Sequence, residues 1–180
     1  MRGLPLSAET TPHYLHFEAE QIPPGRNDFK CAPPIRERAN REKLWQGLAA
    51  GIIEMIVSDH SPCTPELKRG SFLAAWGGIA SVQFVLPVIW TEAKERGFGF
   101  KDLARWLCER TALLARLPHK GALEKGRDAD FAIWSPEETF TIDEAMIEHR
   151  HKVTPYLGET LYGVVKETWL RGNRVFSSLS

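Results

Sequence analysis

The spacing of apolar and polar residues along the chain changes near Pro118. Before this point the apolar positions fall mostly in blocks with helical spacing, and after it short apolar runs alternate with turn residues. The pattern predicts a helix-rich α/β part at residues 1–117 and a β-rich part at residues 118–180. The predicted fold class is therefore α/β.

The stretch at residues 51–62 is predicted to hold a buried strand that ends in chemically active side chains. Residues 52–57 form a short, largely apolar run, which is typical of a parallel strand covered on both faces. Asp59 and His60 follow it directly, at the strand end where α/β enzymes keep their catalytic residues. Asp59 is therefore the first candidate for a functional residue. The alternative is that Asp59 caps the next segment and that His60 faces solvent.

Helices are predicted on both sides of this strand, at residues 41–50, 76–97, 101–109 and 111–117. Asn40 is placed to cap the first helix and Gly51 to end it. Pro87 should kink the second. Thr111 is a possible cap of the last.

The remaining pattern predicts a short strand at residues 4–9, a long loop at residues 21–34 and a β-rich C-terminal part. Loops as long as this one are usually functional. In the C-terminal part, turns are predicted at residues 126–128 and 135–136, and a helix at residues 143–149. A final hairpin should pair residues 164–170 with residues 174–176 around Gly172 and Asn173.

Composition limits the classes of partner. The chain has 180 residues, with 23 basic and 23 acidic side chains and a formal net charge of +0. This balance argues against nucleic acid or an anionic membrane as a main partner. No apolar run is long enough to cross a bilayer, and the N-terminus has no signal-peptide core. The 3 cysteines show no CxxC spacing, so we expect free thiols in a reducing, cytoplasmic compartment.

Four segments carry a resemblance to a known family. They are ETTPHYL (residues 9–15), KCAPPIR (30–36), SDHSPCTPELK (58–68) followed by AWGGIAS (75–81), and KGALEKGRDADFAIW (120–134) followed by HKVTPYLGETL (151–161). Together they resemble the cyclic amidohydrolases, and most closely the allantoinases. The GxDAD pattern alone recurs across amidohydrolases. SDHSPC, AWGGI and HKVTPY favour allantoinase over the alternative, a dihydropyrimidinase or hydantoinase.

The resemblance implies a TIM (β/α)8 barrel with a binuclear metal centre, followed by a small β-sandwich domain. Residues 1–117 would supply the last strands and helices of the barrel. Residues 118–180 would supply C-terminal strands of the sandwich, with a terminal helix and hairpin. The implied reaction is hydrolysis of the cyclic amide of allantoin to allantoate, with Zn²⁺ or another divalent metal as cofactor. Members of the family are expected to form homo-oligomers.

The resemblance also assigns roles to residues. Asp59 matches the carboxylate at the end of the last barrel strand, which binds one metal and carries a proton from the attacking hydroxide to the leaving nitrogen. The residues expected to contact the substrate are Cys31, Ala32, Ser61, Trp76, Gly77 and Gly78. Allantoinases commonly carry Ser where this chain has Ala32. For Cys31 and Trp76 the alternative is plain core packing.

The other metal ligands of the family have no counterparts in the sequence. An HxH pair, a carboxylated lysine and two later histidines are missing, and a closed barrel typically needs about 250 residues. The HxH at residues 149–151 lies at a predicted helix end, and His13 is expected to pack and hydrogen-bond at a strand end. We therefore expect the C-terminal portion of an allantoinase, truncated and inactive by itself. The alternative is a non-catalytic remnant that acts as an interaction module.

Overall fold

The computed structural model of the chain describes residues 6–178. Its elements in chain order are β1 (Glu9–Thr10), α1 (Pro12–His16), α2 (Arg38–Ala49), β2 (Met55–Ile56), α3 (Val85–Glu95), α4 (Phe100–Ala104), α5 (Arg110–Leu114), β3 (Phe131–Thr141), β4 (Thr160–Leu170) and β5 (Asn173–Ser177). Within residues 6–178 no helix has the length and apolarity needed to span a bilayer.

Strands β1 and β2 form a parallel pair, with Glu9 opposite Met55 and Thr10 opposite Ile56. Helices α1 and α2 lie between the two strands in sequence, as a parallel pairing requires. One further bond, from the Val57 N–H to the Thr10 carbonyl at 2.9 Å, extends the pairing towards the carboxyl ends. The segments that follow β1 and β2 therefore emerge at the same edge.

The predicted strand at residues 52–57 is shorter than expected. Ile52 and Ile53 donate their N–H groups to the Gly47 carbonyl, so they close the end of α2 instead of pairing in the sheet. Gly51, with a φ of 69°, ends α2 as predicted. Only Met55–Ile56 is strand, and there the predicted burial is confirmed, since both residues are 2% exposed. Of the strand predicted at residues 4–9, Glu9 belongs to β1, while Leu4 and Pro5 lie outside the described residues.

The predicted helix at residues 76–97 is wrong over its first part. Residues 76–81 are not helical, and Ile79 pairs with His60 in a parallel bridge. A 3-10 turn, Val82–Phe84, leads into α3. Pro87 lies in the first turn of α3, where an N–H has no acceptor in the helix, so no kink results.

Two other helix boundaries differ from the prediction. Helix α2 begins at Arg38, with Glu37 as its N-cap, so Asn40 lies inside it. Helices α4 and α5 are joined by a π-helical stretch, Arg105–Glu109, into one run. Thr111 lies inside this run, and its hydroxyl donates to the Leu107 and Cys108 carbonyls instead of capping a new helix.

The C-terminal part contains a three-stranded antiparallel sheet in the order β3-β4-β5. The predicted hairpin is confirmed, but its turn is one residue earlier than predicted: Arg171 and Gly172 form it at φ values of 48° and 78°, and Asn173 begins β5. The turn predicted at residues 135–136 is wrong, because these residues lie within β3 at a register shift. The helix predicted at residues 143–149 is a series of bends and turns.

The sheet packs onto the helical part through α3. The Trp90 indole N–H donates to the Pro136 carbonyl at 2.8 Å, and the Tyr162 N–H donates to the Thr91 hydroxyl at 2.9 Å. A buried cluster joins the two parts and consists of Phe17, Phe29, Cys31, Ile35, Ile79, Phe84, Val88, Ile142, Ile147, Tyr156 and Leu161. The domain boundary at residues 117–118 remains a prediction, as does the assignment of the two parts to a barrel and a sandwich.

Two histidines of α1 have opposite electrostatic surroundings. His13 is fully buried, and this burial lowers its pKa to about 4. Burial also acts to lower the pKa of His16, but hydrogen bonds to Glu159 and Glu92 outweigh it and raise the value to about 9. The His16 Nδ1 lies 2.8 Å from the Glu92 Oε1, and its Nε2 lies 3.5 Å from the Glu159 Oε2. His16 is therefore a buried cation between two carboxylates.

We expect the free energy of unfolding to fall on both sides of about pH 6.5, the ordinary histidine pKa. Above it the folded chain keeps the His16 proton that the unfolded chain releases, so stability is lost as the pH rises through about 9. The loss from this group is on the order of 3 kcal/mol. Below it the unfolded chain protonates His13 first, so stability is lost as the pH falls towards about 4.

Urea unfolding between pH 4 and 10 measures this profile. The control variant His16→Gln should lose most of the alkaline fall and keep the acid one. It also separates the effect of His16 from that of the buried Cys31 and Cys63 thiols, whose raised pKa acts in the same direction at high pH. A wild-type chain of constant stability between about pH 6.5 and 9 would contradict the assignment.

Candidate active site

Asp59 lies three residues beyond β2, at the edge where the parallel strands end. Its φ of 45° is left-handed, a conformation that Asp tolerates better than most residues. The side chain is 45% exposed, and no capping hydrogen bond to it is found in the described part of the chain. The alternative role as a helix cap is therefore wrong, and the carboxylate is free to bind a ligand.

His60 is partly exposed, but its ring is also bonded to the protein, so the alternative prediction that it faces solvent holds only in part. Its Nδ1 accepts the N–H groups of Ser81 and Val82 at 3.0 and 3.2 Å, which leaves the proton on Nε2. Partial burial lowers the pKa of His60, so the ring is neutral. The Ser81 hydroxyl also donates to the Ser58 carbonyl. His60 therefore ties the end of β2 to the turn before α3, while its neighbour Asp59 remains available.

His13 lies beside Asp59. Its Nε2 is 2.8 Å from the Thr11 hydroxyl and 3.7 Å from the Asp59 Oδ2. The expected hydrogen-bonding role at a strand end is confirmed. The Nδ1 of His13 is buried and has no partner among residues 6–178.

The loop that contains Cys31 and Ala32 approaches the same site. Cys31 is 4% exposed and belongs to the core, and burial is the main reason that the pKa of its thiol is raised. The negative charge of Asp59 adds to this rise, and it also adds to the rise in the Tyr14 pKa that burial causes. The Tyr14 hydroxyl donates to the Pro33 carbonyl at 2.6 Å. Burial thus supports the packing alternative for the Cys31 side chain, while the exposed Ala32 leaves the loop backbone accessible.

Gly77 and Gly78 lie in a non-helical segment, not at a helix start as predicted. A Cβ on Gly78 would lie 2.7 Å from the Ser61 Cβ and 2.8 Å from the Ser61 carbonyl oxygen. A Cβ on Gly77 would meet only ordinary contacts, at 3.7 Å from the Ala32 Cβ. The absence of side chains lets the segment pass between Ser61 and the Ala32 loop. Trp76 precedes it and is 48% exposed, which argues against core packing for its ring.

Lys68 holds these segments together, and sequence reasoning missed it. Its Nζ donates to the carbonyls of Lys30, Trp76 and Gly78 at 3.0, 3.0 and 2.7 Å. The Asn27 side chain in turn donates to the Lys68 carbonyl at 2.8 Å. The only sequence signal for Lys68 was its place at the end of the SDHSPCTPELK segment.

The structure thus brings most of the predicted site residues together. Contacts join the Ala32 loop to Gly77, and Gly78 to Ser61 and Trp76. The negative charge of Asp59 raises the pKa of the Cys31 thiol, so Asp59 also lies near the Ala32 loop. The roles in substrate binding remain predictions.

The described residues do not form a metal site by themselves. Among residues 6–178 no group of three or more His, Cys, Asp or Glu side chains is arranged to hold a metal ion. Asp59 fits as one exposed oxygen ligand. One ring nitrogen of each of two histidines already has a partner: the His13 Nε2 lies 2.8 Å from the Thr11 hydroxyl, and the His149 Nδ1 lies 2.6 Å from the His151 carbonyl. The other ring nitrogen of each is buried and has no hydrogen-bond partner among residues 6–178.

The profile of the Amidohydrolase family matches residues 13–175. The chain belongs to the amidohydrolase family. The allantoinases of Streptomyces avermitilis, Arabidopsis thaliana and Saccharomyces cerevisiae are 55%, 49% and 43% identical to it over 97–98% of its length. The chain spans 39%, 36% and 38% of these relatives, which is less than half of each. The resemblance predicted from the four segments is thus confirmed.

Solved amidohydrolase structures resemble the chain as well. A D-hydantoinase structure superposes with a TM-score of 0.86 at 26% identity, covering 95% of this chain and 39% of that one. The L-hydantoinase (dihydropyrimidinase) of Arthrobacter aurescens gives a TM-score of 0.84 at 27% identity, with the same coverage.

The two adjacent glycines provide a test of the site's packing. We expect Gly78→Ala to destabilise the chain by about 1–3 kcal/mol, because its Cβ overlaps with Ser61 and forces the backbone apart. Gly77→Ala, which meets no such overlap, should change stability by less than about 1 kcal/mol. Chemical denaturation of both variants measures the difference, and equal losses would argue against the close approach at Gly78.

Proposed function

We propose that the chain carries part of the active site of an allantoinase, a cyclic amidohydrolase that opens allantoin to allantoate. The observation that carries the proposal is the exposed Asp59 carboxylate at the common edge of β1 and β2, beside two loops that present backbone. The identity with allantoinases from three organisms supports the choice of substrate.

Asp59 is proposed to act as a metal ligand and as the proton carrier. It would bind a divalent metal such as Zn²⁺, with the further ligands of a binuclear centre supplied from outside the described residues. Such a metal polarises the amide carbonyl and acidifies a bound water. The Asp59 carboxylate would take a proton from the attacking water and return it to the leaving ring nitrogen. His13, kept neutral by burial, places no competing positive charge beside Asp59.

Backbone groups are proposed to recognise the substrate ring. A hydantoin ring presents amide N–H and C=O groups in one plane, and backbone amides at Cys31, Ala32, Gly77 and Gly78 match this chemistry. Contacts of this kind do not need the hydroxyl that Ala32 lacks. Ser61 and the half-exposed ring of Trp76 would line the remaining sides, since both lie against Gly78.

A hydantoinase or dihydropyrimidinase is the second candidate. The high TM-scores to two hydantoinases favour it. Its substrates share the cyclic amide and lack the ureido group of allantoin, so the same Asp59 chemistry would serve both.

Cytoplasmic location and self-association belong to the proposal in either case. The exposed apolar side chains of Leu113, Leu114 and Leu117 suit a protein contact.

The test compares ring opening of allantoin, hydantoin and dihydrouracil in the presence of zinc, manganese or cobalt. It uses the chain itself and a chimera in which the chain replaces the matching part of the Streptomyces avermitilis allantoinase. We expect the chimera to open allantoin fastest. Preference for hydantoin or dihydrouracil would support the second candidate, and a folded chimera without any turnover would overturn both.

Asp59→Asn should lower the activity of the chimera by about 10³-fold or more, because it removes a proton carrier and a charged ligand. Glu66→Gln is the matched control, since Glu66 is an exposed acid in the same connection. This control should keep wild-type rates. An active Asp59→Asn chimera would exclude the role assigned to Asp59, and circular dichroism of both variants verifies that they are folded.

A further inference from the structure

The proposed chemistry has no use for Lys68, yet its ammonium group is the point at which two loops meet. An ammonium has three donors, and each finds a carbonyl oxygen: Lys30 at 3.0 Å, Trp76 at 3.0 Å and Gly78 at 2.7 Å. The Lys30 carbonyl also accepts the Gly78 N–H at 3.0 Å. A single cation thus joins the loop before Ala32 to the segment at residues 76–78.

No carboxylate of the described residues lies within ion-pair distance of this cation, although the charge of Asp28 acts on it from further away. Within residues 6–178 Lys68 forms no ion pair, and partial burial lowers its pKa. Three carbonyl dipoles that converge with their negative ends repel one another. The positive charge of Lys68 offsets this repulsion, so the carbonyls and the charge stabilise each other. A neutral side chain of the same length would leave the three acceptors facing each other.

The bonded carbonyls belong to peptide units with particular N–H groups. The peptide of the Lys30 carbonyl carries the N–H of Cys31, and that of the Trp76 carbonyl carries the N–H of Gly77. In the described part of the chain neither N–H has a hydrogen-bond acceptor. A charge-assisted bond to the carbonyl polarises the whole peptide unit and makes its N–H a stronger donor.

We propose that Lys68 is a positioning residue that fixes the spacing of the two loops and strengthens the Cys31 and Gly77 N–H groups as donors to a carbonyl oxygen of the bound cyclic amide. The last clause of this proposal, on the ligand, rests on the proposed function. The loop spacing and the polarised amides do not depend on the proposed function, since they follow from the three hydrogen bonds that Lys68 donates to carbonyls. Lys68 itself touches no reacting atom.

The first experiment needs no substrate. In ¹H–¹⁵N spectra of the 180-residue chain, Lys68→Met should move the Cys31 and Gly77 amide signals upfield. Arg69→Met, which removes the neighbouring, exposed charge, should leave both signals in place. Lys68→Arg keeps a charge and several donors, and should restore most of the shift. Unchanged Cys31 and Gly77 signals in Lys68→Met would overturn the proposal.

The second experiment adds allantoin to the same samples. Lys68→Met should weaken binding by about tenfold or more, the effect of losing charge-assisted hydrogen bonding, whereas Arg69→Met should bind as the wild type does. If the wild-type chain does not bind allantoin but its amides respond to Lys68→Met, the proposed substrate fails and the positioning role stands. If the Lys68→Met spectrum loses all dispersed signals, this variant is unfolded, and the Lys68→Arg variant becomes the test of the positioning role. Restored Cys31 and Gly77 signals support the proposal, and a second collapse overturns it.

Discussion

The candidate site depends on the parallel pairing of β1 with β2. Parallel strands end at the same edge, so this one register brings His13, just after β1, to within 3.7 Å of Asp59, beyond β2. The paired segments are only two residues each, and their few hydrogen bonds do not hold such an arrangement alone. Burial of Met55 and Ile56 does so, since both are almost inaccessible to solvent.

The two histidines nearest to the Asp59 carboxylate, His13 and His60, are neutral. His13 is neutral because burial lowers its pKa to about 4. His16, one turn further along α1, is charged because Glu92 and Glu159 surround it. His60 is neutral and accepts two backbone N–H groups. Three histidines close in sequence or space thus take three different roles, each set by the partners that the fold supplies.

The sequence was most informative where structure is local. The final hairpin was predicted with its turn displaced by one residue, and the end of α2 follows from Gly51. Asp59 was found because burial of Met55 and Ile56 is visible as an apolar run that stops at a turn. The family came from the four segments and not from periodicity.

Non-local contacts account for what the sequence did not predict. Residues 76–81 are apolar enough for a helix, but Ile79 pairs with His60 instead and the segment is not helical. Nothing in the local sequence distinguishes Lys68 from a surface lysine, because its three carbonyl partners come from other segments of the chain. The roles of Ser61, Trp76 and the glycines in binding stay predictions, because they concern a ligand and not the fold.

The close approach at Gly78 limits how the proposed binding site could be altered to accept another substrate. Two loops that meet through backbone atoms offer few side chains whose replacement alone would reshape the space between them. Insertion or deletion of a residue in the connection between β2 and α3 would shift all the backbone amides at residues 76–78 together. For the proposed cyclic-amide substrate, a new ring size would therefore be reached more readily by altering loop length than by exchanging residues in place.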